Sequence, residues 1–178
     1  MNPYHLIQKY YTPDTELYHV LVKHSEQVRD KALEVANKHR EFHADTAFIA
    51  EAALLHDIGI FLCDAPRIFC QGSHQYIEHG YLGADLLRKE GLERHAFVCE
   101  RHTGTGISLE KILENKLPLP HRDMVPVSIE EQIICYADKF FSKTALNTVH
   151  DPGKISIMLG RHGQENIAIF NAWHFKFS

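Results

Sequence analysis

The chain has 178 residues, enough for one domain that buries a core without disulfides. Hydrophobic residues make up 44% and charged residues 24%, and the net charge of −4 argues against a nucleic-acid duplex or a membrane surface as partner. Four scattered cysteines without a C-x-x-C pair, no leader-like N-terminus and no run of 18 apolar residues predict a cytoplasmic chain with reduced thiols.

In chain order, the first predicted helix runs from about Thr15 to His39, with Leu17, Val20, Leu21, His24, Val28, Ala32 and Val35 on one stripe. The second starts at Asp45, a good N-cap, and continues through AFIAEAALLHDIG to Gly59. It is apolar nearly all round, which predicts the central buried helix. The stretch FLCDAPRIFCQGSHQ reads as a loop with at most a short turn of helix, and a short hairpin is the most that the loops of the chain could hide. Helices follow from about Tyr76 to Glu90 and from Glu93 to His102, ended by Gly91 and Gly104. Residues 103–127 hold Gly104, Gly106, Pro118, Pro120 and Pro126 and read as irregular, with one short helix at Leu109 to Asn115. A stretch of this kind after a ligand residue predicts a lid over a site. Ser128 and Glu131 form a capping-box pattern, and the helix they open is expected to reach about Ala145. One or two short helices follow Pro152. The fold class is therefore all-α, a single-domain helical bundle over residues 1–178, with a core at about 17–145 and a helical extension at 146–178.

The 14 histidines and 9 aspartates would give about 0.7 His-Asp pairs by chance, so the dipeptide alone says little. It occurs twice. His150-Asp151 precedes Pro152-Gly153, which is turn chemistry, and receives no role. His56-Asp57 instead ends a strongly apolar helix, where an imidazole and a carboxylate side by side are costly unless something satisfies them. His24, His79, His102 and Asp138 repeat the anomaly, each on an apolar stripe of a different helix. One such histidine is an ordinary hydrogen-bonded core residue; several inward imidazoles and carboxylates share an explanation in metal coordination.

The order His24, His56-Asp57 in an HDIG context, then Asp138 resembles the HD-domain superfamily of metal-dependent phosphohydrolases. His79 and His102 match the two extra histidines of its two-metal subset, and the strings VKHS, EHGYLGADLL, RHTGTG and YADKF add to the likeness. Ile60 stands where cyclic-dinucleotide phosphodiesterases of the HDIG type often have lysine, and no GYP segment is present, so that activity is not implied.

The resemblance implies an HD-type bundle with a metal site in its core. One divalent ion would sit on His24, His56, Asp57 and Asp138, and a second on Asp57, His79 and His102, with Asp57 as the bridge. Iron, manganese, cobalt or zinc suits such ligands. The implied reaction is hydrolysis of a phosphate ester or anhydride of a small metabolite or nucleotide by metal-activated hydroxide, with Asp57 as the central catalytic residue. Lys139, beside Asp138, and Arg101, beside His102, are the candidate phosphate partners, and Lys143 and Arg122 rank below them. His74, His95 and His121 read first as surface histidines, and Cys99 and Cys135 as packing behind the site. Two other readings keep the same ligands: a mixed-valent di-iron oxygenase of this fold, and a nucleotide-binding protein without catalysis. The sequence leaves the oligomeric state open.

Overall fold

A computed structural model describes residues 1–178. Its helices are α1 (Pro3–Tyr10), α2 (Glu16–Lys38), α3 (Thr46–Leu55), α4 (His79–Lys89), α5 (Glu93–Arg101), α6 (Leu109–Glu114), α7 (Ile129–Asp138), α8 (Pro152–Gly160) and α9 (Gln164–Phe177). Between α3 and α4, strands β1 (Asp64–Ala65) and β2 (Cys70–Gln71) form a two-residue antiparallel hairpin flanked by 3₁₀ turns. The fold is all-α. No helix is long and apolar enough to cross a membrane.

The start signals work as their chemistry requires. Asp45 accepts from the Phe48 amide at 3.0 Å and Ser128 from the Glu131 amide at 3.2 Å. The Glu131 carboxylate does not close the box on Ser128; it accepts from the Val127 amide at 2.9 Å. Three expectations need correction. Helix α1 was not expected, the third predicted helix begins as a 3₁₀ turn (Tyr76–Glu78) before α4, and α7 stops at Asp138 rather than near Ala145. Beyond Asp138 the chain tightens: the amides of Phe140 and Phe141 reach back three residues instead of four, and His150 donates its amide to Phe140 O at 2.8 Å.

Two apolar clusters organise the core. One joins Val28, Ala32 and Val35 of α2 to Ile49 and Ala53 of α3, the Ile133–Ala137 run of α7, and Phe170 and Trp173 of α9. Residues of the predicted C-terminal extension are thus part of the main core. The other joins Ile7 and Tyr11 to Leu21, Leu55, Ile58, Leu87 and Ala96. Each fully buried aliphatic side chain contributes roughly 1.5–3 kcal/mol. On α2, Leu21 lies in one cluster, Val28 in the other, and His24 between them. His56-Asp57 follows Ala53 of the first cluster and precedes Ile58 of the second. The polar residues therefore occupy the seam between two apolar bodies.

Close approach across that seam depends on glycine. A Cβ on Gly83 would stand 2.6 Å from Cys99 Sγ and 2.9 Å from Gly59 N, so α4 lies against α5 and the end of α3 only because Gly83 lacks one.

Candidate metal centre

Five helical segments deliver the candidate ligands. His24 is mid-α2, His56 caps the C-terminus of α3 with Asp57 next to it, His79 opens α4, His102 caps α5, and Asp138 ends α7. Four of the six sit at helix ends because an end lets a side chain turn into the seam without displacing the apolar stripe. All six are at least nine-tenths buried, and His56 and Asp57 are completely so.

The ligand atoms fall into two groups that share Asp57: His24, His56, Asp57 and Asp138, then Asp57, His79 and His102. Within each group all candidate atoms lie within 4.8 Å of one another. The two oxygens of Asp57 divide the work. Oδ2 faces His56 Nε2 at 3.1 Å and His24 Nε2 at 3.2 Å; Oδ1 faces His79 Nε2 and His102 Nε2, each at 3.3 Å. These approaches are close but not aligned as hydrogen bonds, and Asp57 Oδ1 and His56 Nε2 are buried without a hydrogen-bond partner, while Asp57 Oδ2 has the Lys143 ammonium at 2.6 Å. Buried polar atoms are rarely left so. A divalent cation would satisfy them, and the donor set fits one.

The backbone fixes the imidazoles for that purpose. Nδ1 of His56 lies 2.6 Å from Ala53 O, Nδ1 of His79 lies 2.6 Å from Tyr76 O, and Nδ1 of His102 lies 2.7 Å from Cys99 O. In each case the ring donates to the carbonyl three residues back and turns Nε2 toward the centre, the orientation that metal-ligating histidines use. His79 Nε2 and His102 Nε2 point at each other across 3.1 Å. His24 Nε2 lies 3.0 Å from Asp138 Oδ1.

Charge is strongly coupled here. Burial disfavours ionised Asp57, but the charges of His56 and then Lys143 hold its pKa well below the ordinary carboxylate value. Asp138 is likewise held low against its burial, by Lys139 and then by His24 and His56. His56 goes the other way: burial opposes its charge, the two carboxylates outweigh burial, and its pKa rises to about 9. His102 drops to about 4, chiefly through burial.

The cations expected at the site part company. Lys139 reaches it: Nζ is 2.7 Å from Asp138 Oδ2 and donates to His102 O at 3.0 Å. Arg101 does not. Its guanidinium pairs with Glu131 at 3.0 Å and covers the Phe97 ring at 4.1 Å, because the residue before His102 points about 100° away around the helix. Arg122 pairs with Glu100. His74 lies beside Glu78 at 3.2 Å, His95 lies 3.4 Å from Glu51, and His121 is exposed. Cys135 Sγ donates to His102 O at 3.2 Å, and the carbonyl of Cys99 holds the His102 ring. In the second His-Asp pair, Asp151 caps α8 by accepting from the Lys154 amide at 3.0 Å.

Sequence reading undervalued Lys143, whose Nζ lies 2.6 Å from Asp57 Oδ2. On a helix continuing to Ala145 it would have pointed about 140° away from Asp138; the tightening after Asp138 brings it back. Tyr76 was missed as well, and its ring stacks on His79 with centroids 4.7 Å apart.

A cleft of about 480 Å3 opens beside Asp138, Lys143 and Tyr76, and Arg67 lies on its rim. Its other walls come from the hairpin, residues 138–144 and α8, and no residue of 103–127 lines it. The expected lid is therefore elsewhere. Ile112, Leu119 and Met124 form a small core of their own with Ile77 and Tyr81, and Thr105 donates to Asn166 of α9 at 2.7 Å.

Three comparisons bear on this geometry. The HD domain family model matches residues 21–142. A tRNA (cytidine(56)-2'-O)-methyltransferase of Thermoplasma volcanium is 38% identical over 123 residues, 68% of this chain and 32% of that protein. One of Picrophilus torridus is 35% identical over 124 residues, 69% of this chain and 32% of that protein. An uncharacterized protein of Methanocaldococcus jannaschii is 35% identical over 134 residues, 74% of this chain and 72% of that protein. The chain thus spans about a third of the length of the two methyltransferases. No solved structure gives a match.

Proposed function

The chain belongs to the HD-domain family, and from that premise we propose that it is a metal-dependent phosphohydrolase acting on a small phosphate ester. The observation that carries the reading is the two-sided carboxylate of Asp57, with a separate histidine pair on each oxygen. The six residues would hold divalent cations, which would supply Lewis acidity to a phosphoryl oxygen and make water acidic enough to attack near neutral pH.

The chain's own residues do the rest. Lys139 fixes the orientation of Asp138 by bonding its carboxylate and the His102 carbonyl together. Arg67, which lines the cleft and has no carboxylate partner, is the cation left to meet the phosphoryl oxygens. Water adds to phosphorus and gives up a proton to bulk water, the bond to the ester oxygen breaks, and that oxygen takes a proton from an ammonium beside the centre, Lys139 or Lys143, which solvent then reprotonates. Arg101, tied to Glu131, takes no part.

The names of the two methyltransferases belong to proteins three times as long as the matched segment. Methyl transfer to a ribose hydroxyl does not require two clusters of buried imidazoles and carboxylates around one aspartate, and the segment is given a reaction of its own. The test is anaerobic reconstitution of metal-free protein with manganese or cobalt, followed by a panel of phosphomonoesters, phosphodiesters and nucleotides. Phosphate release that vanishes in Asp57→Ala supports hydrolysis. Inactivity with every ion but iron, together with substrate-dependent O2 consumption, moves the protein to the oxygenase class.

A further inference from the structure

The cleft beside the centre is built unevenly, and that unevenness bears on what the proposed hydrolase accepts. Three cations line it, Arg67, Lys139 and Lys143. Two are already committed, Lys139 to Asp138 and Lys143 to Asp57. Arg67 alone has no carboxylate partner. One free guanidinium provides a bidentate partner for one phosphoryl group.

The opposite wall is apolar. Ile155 and Leu159 of α8 are buried at its back, Ile68 and Phe141 flank it, and Met158, 39% exposed, stands at the mouth. Groups that would recognise a sugar or polyol are few, and the Tyr76 hydroxyl, which also lines the cleft, is one of them. Asp138 is the only carboxylate in the lining, it contains no amide side chain, and the hydroxyls of Ser142 and Thr144 bond each other at 3.0 Å. A substrate rich in hydroxyls would leave them unpaired against Phe141 and Met158, which costs binding energy.

We infer that this cleft selects phosphate monoesters whose alcohol part is a compact apolar or aryl group, read by Phe141, Ile155, Met158 and Leu159 while Arg67 meets the phosphoryl group. The inference rests on the phosphoryl-transfer reading above, and its test separates the two by using binding.

Phenylphosphonate and methylphosphonate are titrated calorimetrically into manganese-loaded protein, with glycerol 2-phosphate as a hydroxylated competitor. Phenylphosphonate is expected to bind at least about tenfold more tightly than methylphosphonate, the scale on which a protein pocket rewards one added apolar group. Met158→Asn, at an exposed position, should narrow that ratio, whereas Arg67→Gln should weaken both ligands by a similar factor. Equal affinity for the two phosphonates, no binding of either, or stronger binding of glycerol 2-phosphate would overturn the inference, even in a protein that releases phosphate. The expected ratio in a protein that releases no phosphate from any ester supports the ligand class and removes hydrolysis.

Discussion

Lys143 Nζ and Asp57 Oδ2 stand 2.6 Å apart, so the carboxylate shared by two histidine pairs also holds an ammonium against the mouth of the cleft. The pair sets two opposing demands on one oxygen. Without metal, Lys143 helps to neutralise a completely buried carboxylate. With metal, the same charge repels the incoming cation. Lys143→Met should therefore raise manganese affinity about tenfold or more, since a unit charge about 4 Å away is worth roughly 1–4 kcal/mol. Metal-free Lys143→Met should at the same time be less stable than metal-free wild type, because a buried ion pair has lost one member. Chelator competition and urea unfolding read the two effects, and unchanged metal affinity would show that Lys143 does not compete for Asp57.

The division of labour on Asp57 predicts a graded loss of metal. Asp57→Ala should lose ions from both groups, whereas His102→Ala should weaken mainly the group formed by Asp57 Oδ1 and His79. Metal content per chain is measured after purification without chelators. Full occupancy in Asp57→Ala would mean that no carboxylate is shared.

Gly83→Ala tests how tightly the seam is built. The new Cβ meets Cys99 Sγ at 2.6 Å and Gly59 N at 2.9 Å. The sulfur can turn away, but the backbone of Gly59 cannot. The substitution should cost about 1–3 kcal/mol of stability and lower metal content, because α4 and α5 carry His79 and His102. Adding Cys99→Ala should recover part of the stability and not all of it.

His95 should make the fold sensitive to mild acid. It is buried against Phe48, with ring centroids 4.9 Å apart. Burial lowers its pKa, Arg94 and the N-terminal amine add to the effect, and Glu51 opposes it. The unfolded chain then binds the proton more readily than the folded one. Stability from this residue is complete above the unfolded value of about 6.5 and declines as pH falls through it. Unfolding free energies at pH 7.5, 6.5 and 5.5 should fall more steeply for wild type than for His95→Gln; parallel curves would rule the histidine out.

The six ligand-type residues were legible in the sequence because they break a periodic pattern. His24 interrupts an apolar stripe between Val20 and Val28, and His56-Asp57 ends a helix that is otherwise apolar all round. Burial of such groups is costly enough that their position alone implies a common partner. The caps at Asp45 and Ser128 were legible for the same kind of reason, since a cap satisfies backbone amides within three residues.

Tertiary structure decided what the neighbours of those residues do. Arg101 and Lys139 are each adjacent to a ligand, yet only Lys139 meets the centre; Glu131 and Phe97 claim the guanidinium of the other. Lys143 reaches Asp57 because α7 stops at Asp138, and residues 103–127 pack on Ile77 and Tyr81 instead of over the cleft. Helical periodicity is a local property, fixed by 3.6 residues per turn, so it reveals which side chains point inward. The place where a helix stops, the partner a long cation finds and the wall that closes a cleft depend on groups distant in the chain, which come together only when the helices pack.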